Sequence, residues 1–213
     1  MTFMKPTIVV ATNNKNKVAE IQAAAKTANL DYTFRGIYEL IPDWESPVED
    51  GLTFEDNAAI KARAGFEALN LPTVADDSGL MVAALSGGPG VNTSSYAGKE
   101  GDDEANNAKL LEEMEGIEPE RRSASFVTVL VLVGLDTLIP DAPDYITEEA
   151  ACDGTIGQHL QGEGGFGYDP LFHPALQRRI SRRSMAQMTI EEKNEISHRG
   201  LALKQLMDTL KSF

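Results

Sequence analysis

The chain has 213 residues, 42% of them hydrophobic and 24% charged, which is enough apolar material for one well-buried core and excludes a disordered tail protein. A formal charge of −14, from 19 Lys and Arg against 33 Asp and Glu, argues against non-specific binding to nucleic acid or an anionic membrane. An anionic small ligand stays admissible if cations cluster locally around it.

A single cysteine, Cys152, rules out an internal disulfide and fits a reducing cytoplasm. The segment from Met1 to Ala11 carries no secretory signal, and the most apolar run, Phe126 to Val133, falls far short of the roughly 20 residues a membrane helix needs.

In chain order, Thr7-Ile8-Val9-Val10-Ala11 reads as a β-branched strand running into Thr12-Asn13-Asn14-Lys15-Asn16-Lys17. Val18, Ile21, Ala25 and Ala28 then recur at helical spacing, so a helix begins at Asn14 or Lys15. A strand, a cationic polar turn and a helix N-terminus suit an anion such as phosphate. The competing account is a plain cap by Asn13 or Asn14 with solvated lysines. The turn has neither the glycine pattern of a P-loop nor that of a dinucleotide fold. Residues 32–47 read as irregular, and Thr53 reads as the N-cap of a helix over 54–69. On that helix Asn57 and Lys61 share a face among small apolar residues. Glu49 upstream is a loop carboxylate that a hard cation could use.

Val74 and Ala75 read as the end of a short buried strand, followed by Asp76-Asp77-Ser78-Gly79-Leu80. On extended backbone Asp76 and Asp77 point to opposite faces, so one meets a metal or water while amides or a cation hold the other. Taken alone, Asp-Ser-Gly reads as a turn. A loop follows at 86–91, then an amphipathic helix over 103–115 with Ala108, Leu111 and Met114 inward. A central strand spans 124–133, and an acidic excursion spans 136–149. The glycine-rich stretch 154–167 ends in Gly165-Phe166-Gly167-Tyr168-Asp169, where Phe166 offers a stacking face and Asp169 two acceptors. A hairpin with a core phenylalanine accounts for it equally well. Thr189 and Glu192 form a capping box for a last helix whose buried stripe is Ile196, Leu203, Met207 and Leu210. Lys193 and His198 lie roughly 140° apart on an ideal helix, so a ligand touching both requires a helix end or an irregularity there.

Seven segments in order resemble the inosine triphosphate pyrophosphatase family over nearly the whole chain. They are Thr12 to Lys17; Glu49-Asp50-Gly51-Leu52-Thr53-Phe54 with Asn57-Ala58 and Lys61-Ala62; Ala75 to Leu80; Pro89-Gly90-Val91; Asn106 to Leu111; Gly165 to Pro170; and Glu192-Lys193-Asn194 through Ser197-His198-Arg199. The resemblance implies an elongated two-lobed α/β fold over 1–213, with a mixed central sheet flanked by helices and the active site in the cleft. It also implies a cytoplasmic homodimer that uses Mg²⁺ to hydrolyse inosine, deoxyinosine and xanthosine triphosphates to the monophosphate and pyrophosphate.

By that resemblance Thr12, Asn13, Asn14, Lys15, Asn16 and Lys17 hold the phosphates, and Glu49 and Asp77 serve the metal. Asp77, Lys17 and Lys61 form the catalytic set, with Asp77 as base, metal ligand or both. Ser78, Phe166, Gly167, Tyr168, Asp169, Lys193, His198 and Arg199 contact the nucleotide. Donors from His198 and Arg199 would face a 6-oxo group and oppose adenine's 6-amino group. Departures from the family pattern stand at Ser95 and Ser125, in place of arginines, at Gln187, and in the long acidic stretch 136–149. Alternative readings are a pyrophosphatase for other modified or pyrimidine triphosphates and a nucleotide sensor without turnover. An aspartyl-phosphate phosphatase would need an Asp-x-Asp-x-Thr pattern that the sequence lacks.

Overall fold

The computed structural model describes residues 5–176 and 179–213. In chain order its elements are β1 (Thr7–Val10), α1 (Lys15–Thr27), β2 (Thr33–Gly36), α2 (Phe54–Leu69), β3 (Thr73–Val82), α3 (Asp103–Glu113), β4 (Ser123–Val133), β5 (Tyr145–Ile156), β6 (Phe172–Leu176), β7 (Arg179–Ile180), α4 (Ile190–Ile196) and α5 (His198–Lys211). The fold is α/β, with one mixed sheet in the order β2-β1-β3-β4-β5-β6-β7 and helices on its flanks. β1 runs parallel to β2, Thr7 opposite Thr33, and parallel to β3, Val9 opposite Thr73. Parallel neighbours require crossover connections, which α1 and α2 supply. β5 with β6 and β6 with β7 are antiparallel. Among the described residues, no helix is long and apolar enough to cross a membrane.

The chain divides into two compact units. The first comprises Met1–Asp77, Val129–Glu149 and Ala202–Phe213, and its core includes Ile8, Val9, Ile21, Ile37, Ala58, Val74, Leu130, Leu132, Leu206 and Leu210. The second comprises Ser78–Thr128 and Ala150–Leu201, and it packs Leu80, Leu110, Met114, Phe126, Tyr168, Leu171 and Phe172 together.

Local chemistry accounts for the helix boundaries. The Asn14 side chain caps α1, accepting from the Asn16 and Lys17 amides. Thr53 caps α2 in a reciprocal box with Asp56. Each such cap contributes about 1 kcal/mol. Asn70, at φ +51°, ends α2 in the left-handed conformation that asparagine tolerates.

The structure departs from the sequence reading in five places. β3 does not end at Ala75 but continues through Asp76-Asp77-Ser78-Gly79-Leu80 to Val82. β2 lies inside a stretch read as irregular, because pairing with β1 rather than its own four residues holds it extended. α3 turns Met114 and, in part, Leu111 inward as expected, but Ala108 is exposed, and Asn106, Asn107 and Leu110 are buried instead. Asn106 replaces the hydration it loses by bonding the Ala97 amide (2.7 Å) and the Ser94 carbonyl (3.0 Å). The acidic excursion is shorter than expected, since 145–149 already belong to β5. The last helix is two helices, broken at Ser197, whose ψ of 148° is extended.

Candidate active site

In the first unit, the turn from β1 into α1 satisfies much of its own backbone. Thr12 Oγ1 accepts the Asn14 N–H (3.1 Å), and Asn14 Oδ1 accepts those of Asn16 (2.9 Å) and Lys17 (3.4 Å). The capping account therefore holds for Asn14. The side chains of Asn13, Lys15 and Asn16 stay exposed, with Lys15 Nζ 5.8 Å from the centre of the Tyr38 ring. Lys17 turns inward instead and pairs with buried Asp76 at 2.8 Å.

The alternation of β3 separates the two aspartates as the sequence required. Asp76 faces Lys17, while Asp77 faces α2, where Lys61 Nζ lies 3.4 Å from Oδ1 and Asn57 Nδ2 donates to Oδ2 at 3.3 Å. Lys61 also donates to Glu49 Oε2 at 2.5 Å, and the Asn57 Oδ1 accepts the Gly51 N–H at 2.9 Å. Asn57 thus orients the Asp77 carboxylate and ties down the loop that carries Glu49. Both Asn57 and Lys61 are buried, so neither is the solvated surface residue that is commonest at such positions.

Burial pushes the Asp77 carboxyl above its ordinary range; Lys61 opposes the rise and Glu49 adds to it. Burial acts to lower the Lys61 ammonium, but Asp77, Asp76 and Glu49 outweigh it and hold the pKa above that of an ordinary lysine. The result is a cation locked between two carboxylates.

In the second unit, the Ser78 and Thr128 hydroxyls are 2.6 Å apart. Phe166 is 56% exposed, which removes the core-phenylalanine account of the glycine-rich stretch. Lys193 Nζ stands 4.4 Å and the Arg199 guanidinium 5.9 Å from the Phe166 ring centre, within cation–π range. Asp169 is buried and spent on two partners, the Lys193 ammonium and the Phe166 N–H (3.0 Å). Tyr168 is likewise buried, its hydroxyl donating to the Thr93 carbonyl at 2.9 Å. These two side chains support the turn and are not presented on the surface. The His198 ring stacks on Phe126 at 5.0 Å and 11°, which fixes its plane. Because the helix breaks at Ser197, Lys193 and His198 belong to different helices, the irregularity that a shared ligand demands.

Among the described residues, no group of three or more His, Cys, Asp or Glu side chains could hold a metal by itself. Glu49 and Asp77 are two hard oxygen donors joined through Lys61. That set fits a small hard divalent cation, which commonly takes one or two carboxylates and completes its shell with water and phosphate oxygens. It does not fit a metal that needs a full protein cage.

The sequence profile of the Ham1 family matches residues 8–209. The chain belongs to the Ham1 family. It is 41% identical over 203 residues to a Corynebacterium glutamicum (strain R) protein named dITP/XTP pyrophosphatase, covering 95% of this chain and 96% of that one. The structure of a HAM1 protein from Coxiella burnetii superposes with a TM-score of 0.85 at 38% identity, covering 98% and 100% of the two chains. The Staphylococcus aureus Ham1 protein superposes at 0.83 and 39%, covering 97% and 98%. These names agree with the resemblance read from the seven segments.

Within this Ham1 chain, the structure gathers Glu49, Lys61 and Asp77 in one unit and Phe166, Asp169, Lys193 and Arg199 in the other. Two residues escaped assignment from sequence. Asn57 was noted as a polar neighbour of Lys61, but its part in orienting Asp77 was not. Thr128 is the one polar residue in the run 126–133, a signal that was available. Ser125, standing where the family pattern has arginine, donates to Asp153 at 2.9 Å.

Proposed function

We propose that this chain hydrolyses deaminated purine nucleoside triphosphates, those of inosine, deoxyinosine and xanthosine, to the monophosphate and pyrophosphate with Mg²⁺. The observation that carries this reading is the buried Lys61 ammonium held between the carboxylates of half-buried Asp77 and exposed Glu49, with Asn57 behind Asp77. The name of the Corynebacterium relative supports the substrate class.

Glu49 and Asp77 would hold the Mg²⁺, which when bound neutralises phosphate charge. The rest follows from the chain's own groups. Asp77, oriented by Asn57, is the carboxylate that aligns or deprotonates the water attacking the α-phosphorus. Lys61 supplies an ammonium held in place beforehand, which costs little reorganisation when charge develops on the phosphate. In the turn from Thr12 to Lys17, Asn13, Lys15 and Asn16 take the phosphates through exposed side chains, Thr12 and Asn14 hold the turn's backbone for them, and Lys17 acts from its pair with Asp76. Phe166 stacks on the base. Lys193, His198 and Arg199 direct donors towards the 6-oxo group, while Gly167, Tyr168 and Asp169 contribute by holding that turn. Adenine's amino group would meet donors there, and a buried mismatch of that kind costs about 1–3 kcal/mol. On the same reading the chain is a cytoplasmic homodimer, a location that the lone Cys152 supports.

The test is pyrophosphate release with Mg²⁺ from inosine, xanthosine, guanosine and adenosine triphosphates side by side. Strong release from the first two and little from the others is expected. Release from all four would keep the chemistry and discard the role given to His198 and Arg199, and no release from any would overturn the proposal. Phe166→Ala is expected to raise KM for inosine triphosphate about tenfold with kcat little changed, since base stacking on an aromatic ring contributes about 1–3 kcal/mol. An unchanged KM would mean that the base stacks elsewhere.

A further inference from the structure

We propose that Asp103 and Asn107, at the start of α3, are positioning residues that set the Phe166–Gly167 turn and thereby present the Phe166 ring to the base; the functional half of this inference rests on the nucleotide reading above. Four residues apart, the two side chains lie on one face of α3. Asp103 Oδ2 accepts the Gly167 N–H at 2.7 Å, and Asn107 Nδ2 donates to the Gly167 carbonyl at 2.8 Å. One helix thus holds both polar groups of a single loop residue, and one of the two bonds is charge-assisted. Asp169 grips the preceding residue through the Phe166 N–H.

The backbone of the turn leaves little freedom. Gly165 has φ +75° and Gly167 φ +60°, and a Cβ at position 165 would come within 2.0 Å of the Asp169 carboxylate. Asp103, Asn107 and Asp169 all hold the turn by its main chain, and its one large apolar side chain faces outward with Lys193 and Arg199 beside the ring. An exposed phenylalanine held this firmly is arranged for an incoming surface rather than for the protein's own core.

Capping of α3 does not call for these two residues. The helix is capped by Asp102, which accepts the Ala105 N–H at 3.2 Å, so the exposed Asp103 is not needed as a cap. Asn107 is only 5% exposed, and its Oδ1 accepts no hydrogen bond among the described residues. A half-satisfied buried amide lowers stability relative to an apolar side chain of the same size. Its nitrogen meets two carbonyls, that of Asp103 in its own helix and that of Gly167 sixty residues away. The second is the bond that distinguishes asparagine from leucine at this position.

Amide hydrogen exchange by NMR and steady-state kinetics decide the matter on wild type, Asp103→Ala, Asp103→Asn and Asn107→Leu. Because Asp103 is exposed, its variants fold whatever becomes of the Asn107 variant. The Gly167 amide is expected to exchange about tenfold faster in Asp103→Ala with the β4 amides unchanged. Asp103→Asn, which keeps an acceptor oxygen, is expected to restore most of the protection. KM for inosine triphosphate is expected to rise about tenfold in Asp103→Ala and Asn107→Leu, with kcat within about twofold. Unchanged exchange in Asp103→Ala would overturn the clamp. Faster exchange with an unmoved KM, in a protein that turns over, would overturn its link to the base. A wild type that hydrolyses no purine triphosphate would remove the nucleotide reading and the functional half with it, and exchange alone would then accept or reject the clamp.

Discussion

Asp77→Asn is expected to lower kcat about a thousandfold, the scale of a lost general base or of a lost charge at a reacting phosphate. The substitution is isosteric, and the native carboxyl already sits above its usual pKa because of burial and Glu49. Replacing it with a neutral amide therefore relieves a desolvation penalty, while Lys61 keeps Glu49 as a partner at 2.5 Å. The melting temperature should accordingly stay near that of wild type. Kinetics and thermal unfolding of the same preparation check both statements. A variant with near wild-type turnover would take Asp77 out of the reaction. Loss of rate together with unfolding would make it a structural residue.

The parts of the fold that depend on neighbouring residues were legible in the sequence. β1, the polar turn and α1 follow from a β-branched run, Asn14 and a periodic apolar stripe. α2 begins at the residue after Thr53 because the capping signal is local. The Asp76–Asp77 pair was legible too, since a period of two forces the carboxylates apart whatever surrounds them, and Lys17 is the cation behind one of them.

What failed depended on distant partners. Asp-Ser-Gly is turn chemistry by local preference, yet β3 passes through it because the sheet on both sides holds the backbone extended. On α3 the apolar residues Leu111 and Met114 were read correctly, but Ala108 was placed inward where Asn106 and Asn107 are buried, because these two look like surface residues until the carbonyls and amides that they meet are known. The break at Ser197 interrupts a stripe that continues in register on both sides, so periodicity could not reveal it. Phe166 was left open between core and ligand face because one residue carries no period, and only its exposure decides.

Lys61 gives the second large expected effect. Its partners lie 12 and 16 residues away in sequence, so its place among small apolar residues hinted at a packed face but could not name the carboxylates that it meets. Lys61→Met keeps the length and apolar stem but removes the charge, leaving Asp77 and Glu49 facing each other. Breaking a buried pair from one side costs about 3–5 kcal/mol. The Glu49 side chain is 38% exposed and solvent screens it, so a loss of about 2–3 kcal/mol is expected. In a chain of this size that is a fall of about 5–10 °C in melting temperature. Turnover is expected to fall about a hundredfold through loss of a fixed donor. Magnesium ion should recover more of the melting temperature in Lys61→Met than in wild type, because a cation on two uncompensated carboxylates binds the folded chain preferentially. Thermal unfolding with and without the ion tests this without any substrate. A variant that is as stable and as active as wild type would mean that Lys61 compensates neither carboxylate. One that is destabilised but indifferent to the ion would mean that Glu49 and Asp77 do not form a cation site.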